Sequence, residues 1–442
     1  MTERPTFSSQ VARIYAARIL QFGCTVAVAF FLARLLGPAG RGQYSLLLLL
    51  PSTLFALGQL GLPSALTFFA GGGRSVASLT TAAAGAGATL ALVLVVASLV
   101  ALPALQPVFF ASAPLRLLQV ATLALPIQLA TSFFGSILWG RQLVRPYIRV
   151  LAGQSLGWLL AVIVLVGVAG FDVAGALAAY LLVTGLAAAA VVVLVLRERA
   201  RTVADRESAP APVRIGALLG YGLRLYPAGV TTFLSYRADL FLLSALRGDA
   251  AAIGLYALAV SLAEITFQVP DSVATLFYPR VAGSEREEAD RLAPSIARFT
   301  LLVTVLATLL LIPLAWLAVR VVLPGFDGSL LPFLLLLPGT VALGLSKVLS
   351  GYISGLGRPE PVGLIAMAAL GVNLVVNLLL IPPLGIIGAA LASMISYSSH
   401  ALMTIGLASR LSGARPLAFV TPGREELRIL VDRLSSLRPR SA

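Results

Sequence analysis

The sequence predicts an all-α polytopic membrane protein, with about twelve transmembrane helices in two six-helix bundles related by a pseudo-two-fold along the membrane normal. Three observations lead there. Of 442 residues, 59% are hydrophobic and only 11% charged, with a mean hydropathy of +0.96. Soluble domains run at roughly 45–50% apolar and about 25% charged, so a soluble chain of this composition could not cover its own surface. The apolar residues also fall in runs of about 20 or more, the length a helix needs to cross a ~30 Å hydrocarbon layer. Finally, a Gly-x-Tyr signature near the start of the chain returns in its second half. A soluble enzyme, a disulfide-rich secreted domain and a disordered chain are thereby excluded.

In chain order the expected spans are 11–36, 43–70, 77–102, 114–139, 148–170, 174–196, 215–246, 250–280, 296–319, 329–352, 362–382 and 386–409. Residues Met1 to Gln10 are polar and the run from Val11 is too long for a signal-peptide core, so no cleavable leader is expected. Pro51, Pro63, Pro126, Pro227, Pro270, Pro313 and Pro338 fall inside spans, where neighbouring helices can satisfy the freed carbonyls. After span 1 the chain reads Leu36-Gly37-Pro38-Ala39-Gly40-Arg41-Gly42-Gln43-Tyr44, and after span 7 Leu246-Arg247-Gly248-Asp249, then Gly254-Leu255-Tyr256. In both places a Gly-bearing turn leads into Gly-x-Tyr at the next helix. Both copies face the same side, a parallel repeat of the kind that builds rocking transporters around a central cavity.

The net charge of +14 comes almost entirely from arginine. One set of connections holds the amino terminus, 71–76, 140–149, 197–214, 281–295, the turn at Arg358 and the tail after Arg410. It carries about 20 arginines against about five in the opposite set, so it is assigned to the cytoplasmic side together with both termini. A multi-pass protein of the plasma membrane follows, with membrane lipid as a partner. Nucleic acid is not expected, because no soluble segment is long enough for a folded basic face. The expected organisation is an N-terminal bundle at 1–196, a Pro/Ala-rich cytoplasmic linker at 197–214, a C-terminal bundle at 215–409 and a cytoplasmic tail at 410–442.

Ionisable residues inside the spans are the candidate site, because charge in hydrocarbon is costly and usually pairs or lines water. Counting helical rise from Arg247, Arg237 lies about 15 Å deep and Asp239 about 12 Å. Glu264 falls near the middle of span 8, roughly 24 Å from Arg280. A short hairpin joins spans 7 and 8, so Arg237 can reach Glu264 or Asp239. Such a pair either locks two helices or lines a cavity and exchanges partners with substrate or a coupling ion. Arg224 lies about 20 Å inward of Arg237, and Arg18 about 24 Å inward of Arg34. Their planar forks suit phosphate oxygens, with snorkelling to the inner interface as the alternative. Asp271, beside Pro270, is a helix-kink partner or a further ion-coupling acid.

Other chemistry is missing from the sequence. His400 and Cys24 are single residues of their types, so no zinc site is expected. Gly71-Gly72-Gly73-Arg74 lacks the Walker lysine and hydroxyl. No cofactor and no ATP-driven step are expected, and the chain is not expected to be an enzyme.

Several segments resemble bacterial oligosaccharide-lipid flippases of the Wzx type. They are Leu32-Ala33-Arg34-Leu35-Leu36-Gly37-Pro38 with Tyr44 and Leu60-Gly61-Leu62, then Tyr236-Arg237-Ala238-Asp239 with Gly254-Leu255-Tyr256. Further matches are Phe277-Tyr278-Pro279-Arg280 and Gly351-Tyr352 with Gly357-Arg358-Pro359. Such flippases belong to the superfamily of multidrug/oligosaccharidyl-lipid/polysaccharide exporters. The resemblance implies a two-bundle transporter that moves undecaprenyl-diphosphate-linked oligosaccharide from the inner to the outer leaflet for polysaccharide biosynthesis. It implies coupling to an ion or to membrane potential, cavity Arg and acidic residues as the site, and a polysaccharide polymerase as a protein partner. Arg237 and Asp239 match a motif of these flippases, whereas Arg18, Arg224 and Glu264 rest on depth alone. Two rival functions remain: a drug or cation antiporter of the same superfamily, and a membrane-embedded glycan polymerase or ligase. The latter is disfavoured by the lack of a sizeable outer loop.

Overall fold

The computed structural model describes residues 7–204 and 212–421, with side chains except at 7–18, 203 and 204. Arg18 stands in a described helix, but its side chain, part of the linker and most of the tail lie outside those residues. The described chain is helical, with no strand, and it divides into two compact units.

The first unit takes Met1–Phe233 and Gly248–Gly254. Its helices are α1 (Phe7–Gly58), α2 (Leu62–Gly71), α3 (Val76–Phe109), α4 (Leu115–Ala121), α5 (Ala124–Gly140), α6 (Val144–Val162) and α7 (Asp172–Ala204), followed by the opening part of α8 (Ile215–Arg247). A straight α1 would be about 78 Å long, more than twice the hydrocarbon thickness. It breaks at Gly37 (φ 65°, ψ −178°), a left-handed conformation that glycine takes without a Cβ clash, and Pro38 restarts the helix with its fixed φ. The break falls between expected spans 1 and 2. Around α5, the helices α2, α3 and α7 pack, and α6 lies against α1 and α7. Leu66, Leu79, Phe133 and Ile137 form the core there, while Leu92, Val93, Val96 and Val100 of α3 stay exposed as an apolar stripe suited to acyl chains.

The start of α8 is fixed to this unit. Tyr221 stacks on Phe68 with ring centroids 4.5 Å apart, the Tyr226 hydroxyl donates to the Leu57 carbonyl, and the backbone N–H of Val213 donates to Ser78 Oγ at 2.7 Å. The repeated Gly-x-Tyr signatures also meet. A Cβ on Gly42 would lie 1.9 Å from the Ala250 carbonyl oxygen, and one on Gly254 would lie 1.9 Å from that of Pro38. Only glycine permits this backbone approach, which accounts for its appearance in both copies.

The second unit takes Leu234–Arg247 and Leu255–Ala442. After the end of α8 come α9 (Ala250–Ala263), a 3₁₀ turn (Glu264–Phe267), α10 (Gln268–Ala282), α11 (Arg286–Leu317), α12 (Leu330–Gly355), α13 (Pro359–Leu384) and α14 (Ile386–Ser412). α12 is its hub, packed on α10, α11 and α14, with α13 against α14. Val348, Leu349, Tyr352 and Ile353 of α12 are fully buried with Phe277 and Ala293. At the ends of these helices, the Tyr352 hydroxyl donates to Asp290, and Arg286 reaches both Asp290 at 3.4 Å and the Leu411 carbonyl at 2.9 Å.

Ten helices among the described residues are long and apolar enough to cross a membrane. The stretch Ile19–Gly58 counts once among them although Gly37 divides it. α8, at 33 residues, is long enough but too polar to count, because it carries Arg224, Arg237 and Asp239. With those two differences the crossing segments agree with the expected twelve.

Candidate functional site

The polar interior of the second unit is built where α8, the α9–α10 break, α12 and α14 converge. On α8, Arg237 and Asp239 are two positions apart and so point to different sides of the helix. Arg237 Nη1 donates to Glu264 Oε1 at 3.2 Å, and both side chains remain 35% exposed. The pair is thus half-exposed and not enclosed by packing. Glu264 opens the 3₁₀ turn, whose tighter winding interrupts the helix before Pro270.

Asp239 is buried, at 3% exposure. One carboxylate oxygen accepts from the backbone N–H of Leu240 at 2.8 Å. The other accepts from the Tyr256 hydroxyl and from Ser393 Oγ at 3.2 Å. The group thus joins α8, α9 and α14 and satisfies three donors.

Asp271 has a partner that sequence reasoning did not assign. Lys347, the single lysine of the chain, places Nζ 2.8 Å from Asp271 Oδ1 and 4.0 Å from the centroid of the Phe267 ring. Tyr236 lies beside it at 5.6 Å and contacts Phe267 and Tyr397 edge-on. Aromatic faces attract the ammonium and complete its surroundings. The cluster therefore sets two cations, Arg237 and Lys347, against three carboxylates, Asp239, Glu264 and Asp271. Both cations are occupied by an acid. An anionic ligand at Arg237 must displace Glu264, and this exchange is the chemistry the geometry permits. On α13, Asn377 Nδ2 donates to Asn373 Oδ1 at 3.0 Å, a bond within one helix.

Arg224 belongs to the first unit, is exposed on α8, and shows no hydrogen bond or ion pair among the described residues. The same unit holds a cavity of about 510 Å³ between α1, α5, α6, α7 and α8, with Gln59, Gln128, Gln154, Tyr147 and Tyr180 on its walls. Behind it Arg41 is only 8% exposed, and Arg41 Nε, the Tyr44 hydroxyl and Trp158 Nε1 have no hydrogen-bond partner among the described residues. None of these entered the sequence-derived site. Arg41 sat inside the repeated motif, but amides and hydroxyls in apolar runs look like ordinary interhelical contacts.

The described residues thus give a helical chain with ten helices long and apolar enough to cross a membrane and a half-exposed ion pair between two of its elements. Solved structures agree on the fold. The lipid II flippase MurJ, in an inward closed conformation, matches with a TM-score of 0.70 at 14% identity, covering 95% of this chain and 91% of that one. An inward-facing multidrug resistance MATE family transporter of the MOP superfamily matches at 0.60 with 17% identity, covering 89% and 95%. An outward-facing one matches at 0.59 with 15% identity, covering 91% and 96%. No curated protein sequence matches. A family model described as polysaccharide biosynthesis protein matches residues 31–325, and the chain belongs to that family.

Proposed function

We propose that the protein flips undecaprenyl-diphosphate-linked oligosaccharide from the inner to the outer leaflet of the plasma membrane, with both termini cytoplasmic, by ion- or potential-coupled alternating access. It carries the glycan without chemistry on it, so it is not an enzyme, and it hands the product to a polysaccharide polymerase. The observation that carries this reading is the half-exposed Arg237–Glu264 pair in a member of a polysaccharide biosynthesis family. Arg18 and Arg224 attract the diphosphate from the cytoplasmic side, and Arg237 receives it when Glu264 lets go. Asp239, Glu264 and Asp271 are the acids available for ion coupling. Arg237→Ala and Arg224→Ala, expressed at wild-type level, are expected to abolish surface polysaccharide, and normal export from both would refute the phosphate role.

One observation favours a second reading, a cation or drug antiporter. Tyr236, Phe267 and Tyr397 stand beside three carboxylates, a lining that suits an aromatic cation. Efflux of a cationic dye that is lost in Glu264→Gln, with surface glycan intact in that variant, would establish it.

A further inference from the structure

The cavity of the first unit has a chemistry of its own. None of its lining side chains is charged, yet three are amides and six carry hydroxyls. A phosphate or a drug cation would find no counter-charge there, and burying charge without one is costly. Gln128 Nε2 donates to the Tyr180 hydroxyl at 3.1 Å, but Gln128 Oε1 is buried with no partner among the described residues. Buried acceptors are almost always satisfied, and this amide oxygen lacks a donor. The hydroxyl protons of Thr131 and Thr184 are spent on their own helices, on Ile127 O at 2.9 Å and Tyr180 O at 2.6 Å. Both therefore present lone pairs and again call for donors. Such a wall wants a neutral ligand rich in hydroxyls that give and accept at once, with apolar C–H faces to lie against aromatic rings. Its volume, about 510 Å³, is in the ~300–1,000 Å³ range of small-ligand pockets.

We propose that this cavity, lined by Gln59, Gln128, Gln154, Tyr147 and Tyr180, is a binding subsite for neutral sugar residues. Their identification as part of the transported glycan rests on the flippase reading above. The first unit would recognise glycan by hydrogen bonding, and charge would be handled elsewhere in the chain.

Gly229 of α8 gives a clean test. It lines the cavity, and a Cβ there meets no atom within 4 Å, so leucine enters empty space and suits a helix better than glycine. The full chain in nanodiscs is titrated calorimetrically with three probes. They are lipid-linked oligosaccharide extracted from cells that carry the gene, the soluble oligosaccharide released from it by mild acid, and undecaprenyl diphosphate. The wild type is expected to bind the soluble oligosaccharide. Gly229→Leu and Gln128→Leu are each expected to weaken that binding about tenfold, the value of one to two lost hydrogen bonds, with undecaprenyl diphosphate binding unchanged. Gln128→Leu serves as the second variant should Gly229→Leu fail to fold, and Gln128→Glu is expected to weaken sugar binding as well by adding charge. Soluble oligosaccharide that binds wild type and variants equally, or does not bind the wild type at all, overturns the sugar subsite. Failure of both lipid probes to bind the wild type overturns the flippase reading and leaves the sugar result to stand or fall by itself.

Discussion

Arg237 and Asp239 are neighbours in sequence and opposites in circumstance. Arg237 shares a half-exposed pair with Glu264, whereas the Asp239 carboxylate is buried with three donors around it. Their substitutions are expected to separate function from stability. Asp239→Ala orphans the Tyr256 and Ser393 hydroxyls and one backbone N–H, and a loss of about 2–4 kcal/mol is expected, seen as a lower melting midpoint in detergent. Asp271→Asn, at a carboxylate 54% exposed to solvent, is expected to cost less than about 1 kcal/mol. Equal destabilisation by the two would contradict the burial contrast. Position in the chain made Arg237, Asp239, Glu264 and Asp271 legible as site candidates, because a charge within an apolar run has few uses. Helical rise gives depth but not azimuth with certainty. The sequence therefore left open whether Arg237 meets Glu264 across a hairpin or Asp239 two positions on. Lys347 was visible as the lone lysine, but its partnership with Asp271 depends on α10 and α12 lying side by side, which no spacing within one segment reveals.

At the scale of elements, apolar run length located the spans and missed their interruptions. The 3₁₀ turn Glu264–Phe267 is a local backbone choice inside one expected span, whereas the break at Gly37 falls at the Gly-bearing turn expected between spans 1 and 2. α8 shows the converse: its arginines and tyrosines make it too polar to look like a lipid-facing helix, although it is the helix that carries the candidate charges. The Gly-x-Tyr repeat was legible as a signature, and its reason lies in packing. Gly42 and Gly254 let two backbones approach so closely that a Cβ would fall 1.9 Å from a carbonyl oxygen on either side. Gly42→Ala and Gly254→Ala are each expected to cost at least about 1–3 kcal/mol, the scale of overpacking. Gly371→Ala on α13, where a Cβ meets nothing within 4 Å, is expected to be neutral or stabilising by up to about 1 kcal/mol. Melting midpoints of the three purified variants decide this, and a Gly254→Ala protein as stable as wild type would mean the approach is looser than the structure has it.

For the whole molecule, on the flippase reading proposed above, the question is what drives the cargo outward. A diphosphate moved from a negative interior to the outside is favoured by the membrane potential, at about 2.3 kcal/mol per charge per 100 mV. No titrating residue is needed for that drive. The Arg237–Glu264 pair would instead set how easily the anion loads. An anion at Arg237 takes the place of Glu264, so loading requires this pair to open. The potential then sets the direction of flipping. In oriented proteoliposomes, a valinomycin potassium potential negative on the cytoplasmic side should accelerate transfer of lipid-linked oligosaccharide to the opposite leaflet. Glu264→Gln should keep that acceleration and load more readily, because a neutral side chain competes less with the anion for Arg237. Arg237→Ala should lose transfer at every potential. A wild-type rate indifferent to potential but driven by a proton gradient, with Glu264→Gln inactive, would reverse the assignment and make the carboxylate the coupling group instead of the gate.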